Sequence, residues 1–394
     1  MIEKCLQTLI DALSVGSLYA LIALGYTMVY GILKFINFAH SDVFVLGAWM
    51  SFTVAVGVGW GGAASGSPVA DWVWILLGAL GAAGVLMTLW ERLGRGATPE
   101  AIRARVPATA VGPVLLLVAA WGAGCTALVL LAGVLRRTPS LEFLGGGVIL
   151  VMAMATCGVV GFCIERLAYK PLRNAPRLNV LITAIGVSLL LQNLGQLNWM
   201  FGTRPQPMPP LVPAVPLFEI GGSTDAAGHS TAGVKIWLVD VIGAGTAVAL
   251  MIALDWLVFR TKLGRAMRAV SYNPANASLM GIPVDRVISF TFVLGAMLAA
   301  AAGFLYSQKY SGLNQPAAAT WVLLGLKAFV AAVVGGIGKI RGAMLGGLLI
   351  GLLEFFGAAY ISPELRDLYV FSLLILVLLF RPSGLLGSTA AEKV

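Results

Sequence analysis

Charge is what this sequence has least of. Asp, Glu, Lys and Arg make up only 11% of its 394 residues, against roughly 25% in an ordinary soluble domain. A soluble chain of this length could bury a large core but would still need charge to cover it. With 59% hydrophobic residues and a mean hydropathy of +0.92, this chain cannot cover itself. Histidine occurs twice, at His40 and His229, too rarely to build a metal site. The four cysteines, Cys5, Cys125, Cys157 and Cys163, form no CxxC pair. Three of them lie in apolar runs, where cysteine reads as a small apolar residue.

Catalytic motifs are missing as well. The nearest string to the phosphate-binding GxxxxGK[ST] is Gly335-Gly336-Ile337-Gly338-Lys339-Ile340. Val333 stands where its first glycine belongs and Ile340 where the Mg²⁺-binding hydroxyl belongs. There is no nucleophile elbow, HExxH or clustered carboxylate pair. The chain is therefore expected not to be an enzyme, to hold no cofactor or metal, and to draw energy from a partner or an ion gradient. The first eleven residues carry Glu3, Lys4 and Asp11 rather than a basic start, so the first apolar run is expected to stay as an anchor.

What the sequence does contain is apolar length. A hydrocarbon core about 30 Å thick takes roughly 20 residues of helix. Spans read near 8–31, 37–57, 72–91, 113–135, 147–165, 178–200, 236–259, 288–308, 319–337, 342–361 and 367–381. The expected fold is an all-α polytopic bundle of about eleven transmembrane helices. The 48 glycines fit helices that pack backbone to backbone.

The net charge of +9 does not point to nucleic acid, because the basic residues sit in short loops between apolar runs. Arg92, Arg95, Arg103 and Arg105 lie in one loop, and Arg166, Lys170, Arg173 and Arg177 in another. Arg260, Lys262, Arg265, Arg268 and Arg286 occupy a third, while Lys34, Lys339, Arg341, Arg381 and Lys393 mark further ends. With alternating spans all of these share one side. The positive-inside rule makes it the cytoplasm, with the N-terminus outside and the C-terminus inside. Arg136, Arg137, Arg204 and Lys235 dissent. The long outer loop 201–235 is rich in proline and reads as an extended, exposed segment that a partner could touch. The insert around 94–112 reads as a linker.

Three segments carry chemistry. Asn37, His40, Ser41 and Asp42 fall where one span ends and the next begins. Their side chains either cap that helix start or line a cavity at membrane depth, where irregular backbone is tolerated only in protein or against water. The loop 260–287 holds two short helices, around 264–271 and 275–280, broken at Asn273-Pro274. Leu263, Met267 and Val270 make one face apolar, and Arg265 and Arg268 make the other basic. A membrane-surface helix would look similar, but a docking helix also explains the ordered turn at Gly281-Ile282. In the third segment Gly342 and Gly346 form a small-xxx-small face. Lys327 and Glu354 there are the deepest charges, at matching depths on antiparallel spans. They are expected to approach each other, since an unpaired intramembrane charge costs at least ~2.5–3.5 kcal/mol. The alternative is that Lys327 snorkels outward alone. Gln192 and Gln196 share a face by i,i+4 spacing and either line a path or join helices.

The strings GYTMVYGILKFINFAHSDVFVLGAW, IERLAYKPLRNAPRLNVLITAIGVSLLLQN, LGRAMRAVSYNPANASLMGI and KAFVAAVVGGIGKIRGAMLGGLLIGLLE resemble the membrane subunits of branched-chain amino-acid ABC importers, the high-affinity leucine/isoleucine/valine permeases. The resemblance covers most of 6–57 and 147–387. It implies a second homologous permease subunit, two cytoplasmic ATP-binding subunits that hold ATP and Mg²⁺, and a periplasmic binding protein. It also implies an inner-membrane location, with lipid around the chain, and alternating access. Gly264, Arg265, Arg268, Ala277 and Gly281 fall on the family's coupling segment toward the ATPase. Asn37, His40, Asp42, Gln192, Gln196, Lys327 and Glu354 are translocation-path candidates. Two departures stand out. Ser41-Asp42 replace the usual Gly-Glu, and 58–146 reads as an insertion with two extra spans. A same-superfamily permease for urea, amides or a sugar is the nearest alternative. An ion-coupled secondary transporter is disfavoured by the lack of acidic pairs at the midplane.

Overall fold

The computed structural model describes residues 2–57, 131, 134–135, 142–173, 175–213, 215–220 and 233–387. The expected span 72–91, all but three residues of the expected span 113–135, nearly all of the 58–146 insertion, and Cys125, His229 and Lys393 lie outside the described residues. So do the linker 94–112 with its three arginines, Arg92 just before it, and the dissenting Arg136 and Arg137.

Eleven α-helices run through the described residues: α1 Ile2–Leu33, α2 His40–Gly57, α3 Glu142–Ile164, α4 Arg177–Gly195, α5 Leu238–Arg260, α6 Lys262–Tyr272, α7 Pro274–Leu279, α8 Val284–Lys309, α9 Ala319–Gly335, α10 Ile340–Tyr360 and α11 Arg366–Phe380. Two of these, α6 and α7, are the short helices of the 260–287 loop. The other nine sit at the nine expected spans that the described residues cover. Six helices are long and apolar enough to cross a membrane by length and composition: α1, α3 with the turn after it, α4, α5, α8 and α10. The described chain is thus a mostly helical bundle, and the full count of eleven spans is not established by it. Helix is the natural state here, because a segment in hydrocarbon must satisfy its backbone groups internally.

The all-helical expectation needs two amendments. Four short strands pair near one end: β1 Gln206–Pro207 with β4 Gly312–Leu313, and β2 Pro216–Ile220 with β3 Val234–Trp237. The proline-rich loop is also not simply exposed. Met208, Leu211 and Val212 are buried, and the Leu211 N–H donates to Gln308 Oε1 at 2.9 Å. Proline removes backbone donors but leaves apolar side chains that still gain by burial. The span expected at 178–200 is shorter than that, α4 ending at Gly195.

α1 and α8 are the most enclosed spans, and α4 and α5 the least. α1 packs against α10, α8, α9 and α5, while α8 also packs on α2 and α3. Small residues permit this. Ala299 to Ala302 of α8 are all fully buried. The Gly342/Gly346 face lies where expected: a Cβ on Gly346 would strike the backbone of Ala331, and one on Gly342 that of Gly335. The α9–α10 seam is therefore backbone against backbone.

Candidate functional site

The polar residues gather in three places. The first surrounds the start of α2. Tyr169 O–H donates to Asn37 Oδ1 at 2.5 Å. His40 is buried, its Nε2 3.2 Å from the Ile22 carbonyl and its ring edge-on to Tyr26 at 4.6 Å. Asp42, also buried, accepts from Ser188 Oγ at 2.5 Å and from Gln192 Nε2 at 2.9 Å, both on α4. Asn37 and Asp42 thus join the α2 start to the α3–α4 segment. Gln192 belongs to this group. Gln196 caps the end of α4 through its backbone, and no described side-chain bond brings it to Asp42.

The second place is the deep charge cluster. Lys327 Nζ donates to Glu354 Oε1 at 2.9 Å, so the expected pair exists. The pair is not alone. Tyr19 O–H donates to Glu354 Oε2 at 2.9 Å, and Asp367 Oδ1 lies 2.7 Å from Lys327 Nζ. Lys327 and Glu354 are buried, while Asp367 is half-exposed. Lys327 lies eight residues in from Ala319, a depth of ~12 Å along the helix. The cluster pins α1, α9, α10 and the first turn of α11 together. Asp367 had a visible signal, an acid opening the last apolar run. Tyr19 had none.

The third place is the segment between α5 and α8. Thr261 Oγ1 caps α6 by accepting the Gly264 N–H at 3.0 Å. Gly264 is buried so tightly that a Cβ would strike the carbonyl oxygens of Leu257 and Val258. Met267 and Val270 are buried, Leu263 is partly buried, and Arg265 and Arg268 lie on the open side, which is the amphipathic split read from sequence. Arg268 donates to the Val258 carbonyl at 2.8 Å and stacks on Phe259. Ser271 Oγ donates to the Gly31 carbonyl at 2.7 Å, which ties α6 to the end of α1. Asn273 breaks the two helices as expected, its Oδ1 accepting the Asn276 N–H at 3.0 Å at the start of α7. Ala277 is the buried anchor of α7, and Gly281 turns the chain with φ +79°. Tyr272, Leu279 and Met280 are the exposed apolar residues of this segment.

A neighbouring network escaped sequence reasoning. A π-helical turn, Glu165–Tyr169, follows α3, and such turns favour functional positions. It buries Glu165, which pairs with Arg173 and accepts from Ser289 Oγ at 2.7 Å. Arg173 also reaches Asp285 at 2.6 Å, at the start of α8. The exit of the 260–287 segment is thereby tied to the α3–α4 connection.

The family described as "Branched-chain amino acid transport system / permease component" matches residues 8–95 and 101–378. The chain belongs to this family of branched-chain amino-acid transport permeases. The permease is 36% identical over 390 residues to the high-affinity branched-chain amino acid transport system permease protein LivH of Salmonella typhimurium, covering 99% of this chain and 97% of that one. It is 36% identical over 389 residues to the protein BraD of Pseudomonas aeruginosa, named likewise, at 99% and 98% coverage. A probable branched-chain amino acid transport permease of Methanocaldococcus jannaschii is 29% identical over 239 residues, covering 58% of this permease and 71% of that protein. No solved structure matches the permease.

Proposed function

We propose that the permease is one membrane-spanning subunit of an ATP-driven importer that moves branched-chain amino acids across the bacterial inner membrane by alternating access. The observation that carries this reading is the α6–α7 segment. Its amphipathic helix is locked to the bundle through Gly264, Ser271 and Ala277. The apolar side chains of Tyr272, Leu279 and Met280 are left open beside Arg265. A rigid base with an exposed apolar and basic face suits a groove on a partner. That partner is a cytoplasmic ATP-binding subunit, present in two copies and holding the ATP and Mg²⁺.

A second homologous permease completes the pore, and a periplasmic binding protein delivers the amino acid to the opposite face. The 260–287 end faces the cytoplasm and the N-terminus the periplasm. Closure of the ATPase pair pushes on α6. The Glu165–Arg173–Asp285 network passes the motion to the α3–α4 connection. Asn37, His40, Asp42 and Gln192 hold the helix starts that move. Gln196 stays a path candidate at the outer end of α4, and Lys327 with Glu354 one at the deep charge cluster between α9 and α10.

Co-purification of the ATPase from membranes tests the coupling. Gly264→Val should leave the permease in the membrane but lower ATPase recovery roughly tenfold, about 1.4 kcal/mol of binding. Undiminished recovery refutes the docking role. Radiolabelled leucine uptake in a strain lacking its own carriers tests the substrate separately: a complex that binds ATPase yet moves no leucine overturns the substrate alone.

A further inference from the structure

A cavity of about 390 Å³ opens where the end of α1, the end of α5, α6 and the α9–α10 turn meet. It takes no part in the transport reading above. Its wall is apolar, formed by Met28, Ile32, Val258, Met267 and Ile340. Its rim is cationic, with Arg268, Lys339 and Arg341. Two of these cations stack on one ring: Arg268 lies 5.2 Å and Arg341 5.0 Å from the centre of Phe259. Asp255, at 3.0 Å from Arg341, is the carboxylate described in ion pairing with this rim. Three cations against one described anion leave positive charge beside an apolar wall.

Two further observations point to an occupant. Thr27 lines the cavity and is almost wholly buried, and its Oγ1 has no hydrogen-bond partner among the described residues. A buried hydroxyl left without a partner is unfavourable unless a ligand supplies an acceptor. The cavity also continues onto open apolar surface. Val248, Ile252 and Trp256 are exposed at four-residue spacing along α5, and exposed Phe259 follows at the cavity mouth. That strip runs from mid-helix to the rim, which is the path of an acyl chain beneath a headgroup.

We propose that this cavity binds one anionic phospholipid. The phosphate rests among Arg268, Lys339 and Arg341, an ester carbonyl accepts from Thr27 Oγ1, and one acyl chain lies along Ile252, Trp256 and Phe259. Basic pockets at the ends of membrane helices favour such headgroups. A zwitterionic lipid would bring its own cation to the rim, and a free inorganic anion would leave the apolar wall uncovered. The site places the lipid against α6, so the local leaflet composition bears on the segment proposed to meet the ATPase.

The test uses the full-length permease purified in detergent, without partners, so it stands apart from any failure of the transport reading. Phosphatidylglycerol or phosphatidylcholine is titrated in, and retained lipid is counted by native mass spectrometry beside the melting temperature. One phosphatidylglycerol should be retained in preference to phosphatidylcholine and should raise the melting temperature. Joint replacement Lys339→Gln and Arg341→Gln should weaken retention roughly tenfold or more while leaving the lipid-free melting temperature in place. Should that variant misfold, Thr27→Val decides, with retention expected to fall roughly threefold. Equal retention of the two lipids overturns the proposal. So does the same stabilisation by inorganic phosphate, or undiminished retention in both variants.

Discussion

Removing Lys327 tests the deep cluster directly. Lys327→Ala leaves the Glu354 carboxylate buried with, among the described residues, only the Tyr19 hydroxyl bonded to it. Breaking a buried ion pair from one side costs about 3–5 kcal/mol, since a charge is stranded in a low-dielectric site. Glu354→Ala is milder, because Lys327 keeps Asp367 at 2.7 Å; about 2 kcal/mol is expected, below the cost of a wholly unpaired charge within a membrane. The double variant strands neither partner of the pair. Its loss should fall short of the sum of the singles by about 2 kcal/mol, within the range found for groups in direct contact. Asp367 is half-exposed, so Asp367→Asn should cost no more than about 1 kcal/mol. The assay is denaturant unfolding of the purified permease in micelles, read by tryptophan fluorescence, with the four variants side by side. Single losses that add to the double within about 0.5 kcal/mol would refute the coupling. An Asp367→Asn loss as large as that of Lys327→Ala would show that the outer carboxylate, not Glu354, carries the pair.

The backbone seam and the hidden network give two more tests. Gly346→Leu drives a side chain into the Ala331 carbonyl and should cost at least about 3 kcal/mol or abolish membrane expression. Gly186→Leu, where an added Cβ meets nothing within 4 Å, should stay within about 0.5 kcal/mol. Equal behaviour of the two variants in thermal unfolding would dismiss the close-packed seam. Glu165→Gln strands Arg173 on the half-exposed Asp285 and should destabilise by about 3 kcal/mol, the low end for a broken buried pair. An unfolding midpoint like that of the parent would refute a structural role for this ion pair.

The sequence by itself determined the membrane habit, the helix positions and the amphipathic face of α6. Composition, apolar length and 3.6-residue spacing are local properties, and in hydrocarbon they leave the backbone few alternatives. The Gly342/Gly346 seam and the Lys327–Glu354 pair were legible too. One follows from spacing on a single helix, and the other from the cost of leaving a charge unpaired between two adjacent spans. Gln192 and Gln196 mark the limit of such reading: identical spacing placed them together, yet only Gln192 faces Asp42, because α4 ends at Gly195. Only the tertiary structure decided which distant segments meet. Tyr19 reaches Glu354 from 335 residues away and Tyr169 reaches Asn37 from 132. Glu165, Arg173 and Asp285 look like ordinary loop charges until α8 packs on α3. Those partnerships depend on the order in which helices neighbour one another, set by the summed packing of small residues along α1 and α8 rather than by any local pattern.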